Sequence, residues 1–208
     1  MIPRYQKVLF IILLVASLVM GVVLWRLRER AHKRMLAGED SAPTRAPEVA
    51  PAEQATLVAA NDADGSLLSQ NFAFPLPQDP GARARVLIGK LLDLYATPDS
   101  NHPVSGGAAG VAEVFLLPAT APKDPQNPNA EMAVINLTGN FAASHPSGLE
   151  TETLTVLSIC ATLRANLPRV TEVRFLVDGQ PRDTLAGHAD LTRTYLTANA
   201  VPTGGTNP

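Results

Sequence analysis

Cysteine is nearly absent from these 208 residues, and the single Cys160 excludes an intrachain disulfide and any cysteine-based metal cluster. Aromatic side chains make up 5% of the chain, which leaves little stacking surface for a small ligand, with Tyr95 and Phe141 the candidates to line a pocket. Charged residues make up 17% and the net charge is -2, so no basic footprint for nucleic acid exists. His102, His145 and His188 are scattered without metal-ligand spacing and no His-x-x-x-His pair occurs, so neither a metal nor a cofactor is implied.

Apolar residues, in contrast, reach 46%, and the N-terminus concentrates them. Val8 to Trp25 reads VLFIILLVASLVMGVVLW, uncharged, with thirteen Val, Leu, Ile or Phe. At about -0.3 to -0.6 kcal/mol each, insertion into a bilayer is favoured by several kcal/mol, and the run predicts a membrane span. A cleaved signal peptide is the alternative, but the apolar run is long for that role and no small-x-small site precedes the basic cluster Arg26, Arg28, Arg30, Lys33 and Arg34. With no cysteine after the run, a lipoprotein anchor is excluded. Residues 1–36 are therefore read as an uncleaved anchor with basic flanks. Arg4 and Lys7 before the span are outnumbered by the five cations after it, which on charge alone favours a cytoplasmic C-terminal part.

Residues 37–54 place Pro43, Pro47 and Pro51 every fourth position among Ala, Glu and Thr. Such a segment builds no core and reads as an extended, disordered spacer. The folded domain is expected over 55–196. ATLVAA and SLLSQNFAF, separated by Asn61, Asp62, Asp64 and Gly65, read as a hairpin. Asp79-Pro80 offers an N-cap and first helical residue, followed by Ala84, Leu87, Ile88, Leu91, Leu92 and Tyr95 on one helix face. GVAEVFLLP is a strand with Val111, Val114 and Leu116 inward, and residues 197–208 read as a loose tail.

Met132 to Asp178 organises the rest. MAVINLT is a strand, GNFAASHPSG a loop, and LETETLTVLSICATLRANL a helix. Ser147 and Glu150 have capping-box spacing, so the helix should start close to Gly148. Leu149, Val156, Cys160, Leu163 and Leu167, widened by Leu154, Leu157 and Ala161, form its apolar face, and Cys160 is an inert core thiol there. In VTEVRFLV, Val173, Phe175 and Val177 alternate with Glu172, Arg174 and Asp178 on a wet face, before an Asp178-Gly179 turn. The expected fold class is α+β: two helices on one face of a mostly antiparallel sheet, preceded by the transmembrane helix and the Pro/Ala-rich linker.

Asn136-Leu137-Thr138, Phe141, Thr162-Leu163, Val177-Asp178-Gly179 and Gly187-His188-Ala189-Asp190-Leu191 resemble the pattern of the GerM (GerMN) domain, named from a sporulation and spore-germination protein. Leu91 and Leu92 are similar to its first-helix pair, but the glycine-proline that follows there is missing. The resemblance implies an extracytoplasmic domain of the cell envelope, single-pass in the plasma membrane, whose work is non-catalytic: docking to envelope, divisome or spore-assembly proteins, self-association, and contact with peptidoglycan. One copy stands here where the namesake carries two, so an envelope role outside spores is equally open.

Catalytic readings are thin. Gly106, Gly107 and Gly110 lack the lysine and strand-before, helix-after context of a phosphate loop. Asn136-Leu137-Thr138 matches a glycosylation acceptor but falls inside a strand. His188 and Asp190, near Glu150 or Ser147, are the only candidates for a hydrolase or wall-fragment site; the competing expectation is that Gly187 to Asp190 closes the last strand, with Asp190 accepting backbone N–H groups. No residue is committed to a catalytic, cofactor or metal role.

Overall fold

The computed structural model describes residue 6 and residues 13–26, 51–120 and 127–202, and the chain divides into two units, Met1–Glu48 and Val49–Pro208. In the first unit, residues 13–26 form helix α1. At 1.5 Å per residue it is about 21 Å long, against roughly 30 Å of hydrocarbon. Among the described residues no helix is long and apolar enough to cross a membrane, so the span expected over Val8 to Trp25 is not found as such; Val8 to Ile12 lie outside the described residues, as do the linker up to Ala50 and the final six residues.

The second unit begins with a hairpin, β1 (Ala52–Asn61) and β2 (Ser66–Pro75), so β1 starts three residues inside the segment read as linker. Asp79 caps α2 (Pro80–Tyr95), accepting the Ala82 N–H at 2.7 Å, with Pro80 in the first turn where no donor is missed. The expected face, Ala84 to Tyr95, is buried. A 3-10 turn, Gly107–Gly110, leads into β3 (Val111–Pro118), followed by β4 (Glu131–Leu137), the short helix α3 (Gly139–Ser144), α4 (Leu149–Asn166), β5 (Val170–Val177) and β6 (Tyr195–Leu196). Thr197–Asn199 forms a last 3-10 turn with Thr197 and Ala200 buried, inside the stretch read as loose tail.

The architecture is α+β, but the strands make two sheets: β1-β2 and β3-β4-β5-β6, the second mixed because β4 and β5 run parallel. A strand, crossover helix and strand leave that pairing as the outcome when α4 returns the chain to the same end of the sheet. Val114, Ile135, Phe175 and Val173 face inward, with α2 against β3 and α4 against β5 in one core.

Three local expectations are corrected. Helix α4 is buried on nearly all sides, yet Leu149, placed on its apolar face from the sequence, is 67% exposed. The capping box does not form: Gly148 is the N-cap with no side-chain cap, and its N–H donates to Glu152 Oε1 at 3.2 Å, so Glu152 takes the role expected of Glu150. Glu172 lies buried instead of on a wet face, because Thr120 folds over it and donates from its N–H at 3.0 Å and its hydroxyl at 2.7 Å.

The stretch expected as loop holds α3, capped by the Thr138 hydroxyl accepting the Phe141 N–H at 3.3 Å. Gly139 opens it because a Cβ there would stand 2.1 Å from Asp178 Oδ2, the carboxylate whose other oxygen accepts the Gly139 N–H at 2.8 Å.

Candidate functional site

Helix α4 carries a second stripe at helical spacing, Glu152, Thr155, Ser158, Thr162 and Asn166, the first four fully buried. At its C-terminal end the stripe stands in for a missing strand. The Asn166 carboxamide accepts the Thr56 N–H at 3.0 Å and donates to the Thr56 carbonyl at 2.7 Å, the two bonds a neighbouring peptide would make. Thr162 Oγ1 accepts the Val58 N–H at 2.9 Å, and the Tyr95 hydroxyl, beside Ser158, accepts that of Ala60 at 3.0 Å. Every outward N–H of β1 from Thr56 to Ala60 is thereby satisfied, as burial demands.

In the middle, Thr155 joins two histidines. Its hydroxyl lies 2.7 Å from His102 Nε2 and 2.8 Å from His145 Nε2; His102 Nδ1 is 2.5 Å from Asp62 Oδ1, and His145 Nδ1 is 2.8 Å from the Pro146 carbonyl. Asp62 and the Pro146 carbonyl accept, so both Nδ1 atoms carry hydrogen, and one hydroxyl hydrogen serves only one of the two Nε2 atoms. Burial lowers the His145 imidazole from its ordinary value. His102 and His145 are 0% and 5% exposed, so this is an internal clamp tying the hairpin tip, the segment after α2, the α3–α4 connection and α4.

At the N-terminal end, Glu152 fills a nest of backbone donors. Oε2 accepts the N–H groups of Ala186, His188 and Ala189 at 2.9, 2.9 and 2.8 Å, and Oε1 lies 3.0 Å from His188 Nδ1. Burial alone would raise this carboxyl, but the backbone donors and the imidazole outweigh it and hold it down to about 2. Ser147 Oγ is 3.4 Å from the same His188 Nδ1. This geometry does not fit an activated nucleophile: a serine and a carboxylate that share one ring nitrogen compete for it, whereas catalysis needs them on opposite nitrogens.

The sequence candidates do not converge. Glu150 is exposed and lies over the Gly65 turn; Asp190 accepts the Thr192 N–H at 2.8 Å and its hydroxyl at 2.6 Å, which lower its carboxyl, as the turn-closing expectation required. The carboxylate that meets His188 is Glu152, which the sequence reading passed over. The glycine-rich stretch is packed: a Cβ at Gly110 would stand 2.6 Å from the Phe141 ring, and the Ala108 N–H donates to Asp93 at 2.7 Å, so a carboxylate sits where a phosphate reading wanted an anion. Asn136 Oδ1 accepts the Gly179 N–H at 2.7 Å within the fold. Cys160 is 0% exposed and burial pushes its thiol up to about 12. Among the described residues no group of three or more His, Cys, Asp or Glu could hold a metal ion.

The family model Germane, described as sporulation and spore germination, matches residues 61–183, more than half of the chain. The chain is a Germane-family protein. Among solved structures, this Germane chain is similar to a Clostridium perfringens protein described as a lipoprotein, at 20% identity, TM-score 0.35, covering 75% of this chain and 95% of that one. It is also similar to the tandem GerMN domains of the sporulation protein GerM from Bacillus subtilis, at 14% identity and TM-score 0.39, covering 67% of this chain and 44% of that one. No curated protein matches it.

Proposed function

We propose that this Germane protein is a membrane-tethered, non-catalytic assembly domain of the bacterial cell envelope, held by its N-terminal apolar segment in the plasma membrane with the domain of residues 49–208 outside, and acting by docking to envelope or spore-assembly proteins. One observation carries the non-catalytic part of the reading: among the described residues the buried ionisable groups are spent on joining elements of the fold, and the Ser147–His188–Glu152 cluster has both partners on one nitrogen. The tether is supported by sequence, since Val8 to Trp25 is uncharged and the helical residues 13–26 present Leu18, Val19 and Trp25 to the surroundings.

The test is fractionation of cells with protease protection, combined with a turnover assay on wall polymer. The expected result is membrane-fraction protein whose domain is digested from the outer side, with no soluble wall fragments released. Hydrolysis that is lost in Glu150→Gln or Glu152→Gln would overturn the non-catalytic reading, and full recovery in the soluble cytoplasmic fraction would overturn the tether.

A further inference from the structure

The connection between α3 and α4 runs over the surface except at one residue. Ala143, Ser144, Pro146 and Ser147 are exposed, while His145 between them is 5% exposed. Its ring packs edge-on against Phe141, with the centroids 5.6 Å apart, and reaches α4 through Nε2, 2.8 Å from Thr155 Oγ1. The other ring nitrogen is spent locally, since Nδ1–H donates to the Pro146 carbonyl at 2.8 Å. One buried imidazole thus joins an exposed connection to the clamp.

With Nδ1 already carrying hydrogen, a further proton goes to Nε2. The groups met there are neutral: the Thr155 hydroxyl, which has the Thr151 carbonyl at 3.1 Å as an acceptor, and the Phe141 ring. The charged and titratable groups packed around the ring come from three other places, and each is already engaged. Asp62, from the hairpin tip, lies 2.5 Å from His102 Nδ1; Glu152, from α4, holds its nest of backbone donors and His188; and Tyr95 of α2, pushed up to about 12 by burial, is uncharged and stands edge-on to His102. His102 itself is another imidazole, 6.5 Å away between centroids. A cation on His145 would therefore be buried without a counter-charge of its own. His102 is as deeply buried, but Asp62 supplies the carboxylate that His145 lacks.

We propose that His145 is an acid-released latch: on mild acidification the ring takes a proton at Nε2, leaves Thr155 for solvent, and frees the connection between α3 and α4 while the sheets and the long helices stay folded. Burial holds the docked ring below its ordinary 6.5, and the Pro146 carbonyl, Glu152 and Asp62 offset only part of that. A ring that binds its proton more weakly docked than free secures the connection fully above pH 6.5 and loses that hold as pH falls through the lowered docked value. Glu152, held down to about 2, stays charged through this window, so the 186–189 loop keeps its anchor. The device is local to one connection.

Hydrogen–deuterium exchange of the full chain in detergent tests it, read by mass spectrometry at pH 7.5 and 5 and corrected for the intrinsic pH dependence of exchange. The reporters are the amides of Ala142 and Gly148, bonded to the Thr138 carbonyl and to Glu152 in the docked state. Peptides spanning residues 141–149 are expected to lose about tenfold in protection at pH 5, while those of α2 keep theirs. His145→Gln, whose carboxamide can bond Thr155 but takes no proton, is expected to show no such loss. Slow exchange of the imidazole C2–H in wild type gives the His145 midpoint without any substitution, expected below 6.5. If His145→Gln does not fold by circular dichroism, the wild-type protection and this midpoint decide. Equal protection at both pH values overturns the proposal, as does a loss retained in His145→Gln, a midpoint at or above 6.5, or α2 opening together with the connection. Those failures leave the envelope role standing, because fractionation and turnover read it separately.

Discussion

Glu152→Gln removes one charge from a carboxylate that is 0% exposed and touched by five donors. A glutamine oxygen can serve the three N–H groups of the 186–189 loop, but its NH2 then faces the Gly148 N–H and the His188 ring, donor against donor. The carboxyl is held at about 2 against an ordinary 4.5. At 1.36 kcal/mol per unit that difference is worth at most about 3 kcal/mol, and screening at the exposed His188 side brings it to about 2 kcal/mol. The depressed carboxyl binds protons more weakly in the folded chain, so its contribution is fully present above pH 4.5 and is lost as pH falls toward 2. Urea denaturation of wild type and variant at pH 7, 4, 3 and 2 measures it. The expected gap of about 2 kcal/mol at pH 7 shrinks steadily below pH 4.5. Equal stability at pH 7, or a gap undiminished at pH 2, refutes the reasoning.

Asn166→Ala is expected to cost about 2 kcal/mol in the same assay, since it strands the buried-edge N–H and carbonyl of Thr56, and to speed amide exchange at Thr56 before that of Leu57. Gly139→Ala is expected to lower Tm by several degrees, about 2 kcal/mol of lost bond and steric shift, because its Cβ would meet Asp178 Oδ2. Cys160, its thiol pushed up to about 12 by burial, is expected to resist a thiol reagent at pH 8 and to titrate as one equivalent once urea is added.

What the chain discloses locally, it discloses well. Asp79-Pro80 sets the start of α2 by short-range chemistry alone, and the Ala84 to Tyr95 face is buried as its spacing requires. The turn role of Asp190 was equally local. Glu172 and Glu152 were not legible, because their burial depends on Thr120 and on the 186–189 loop, which sequence places far away. The histidines stand scattered in the sequence, yet His102 and His145 meet on Thr155; only the recurrence of Glu152, Thr155, Ser158, Thr162 and Asn166 at helical spacing hints at a common destination. Helix α3, six residues long with a threonine cap, carries too little periodicity to stand out from a loop.

The polar stripe of α4 also explains how the outer edge of β1 is closed. A helix that supplies a carboxamide, a hydroxyl and, through α2, a phenol to successive N–H groups of β1 forecloses strand addition on that side, and it does so with groups whose burial would be costly for any other purpose.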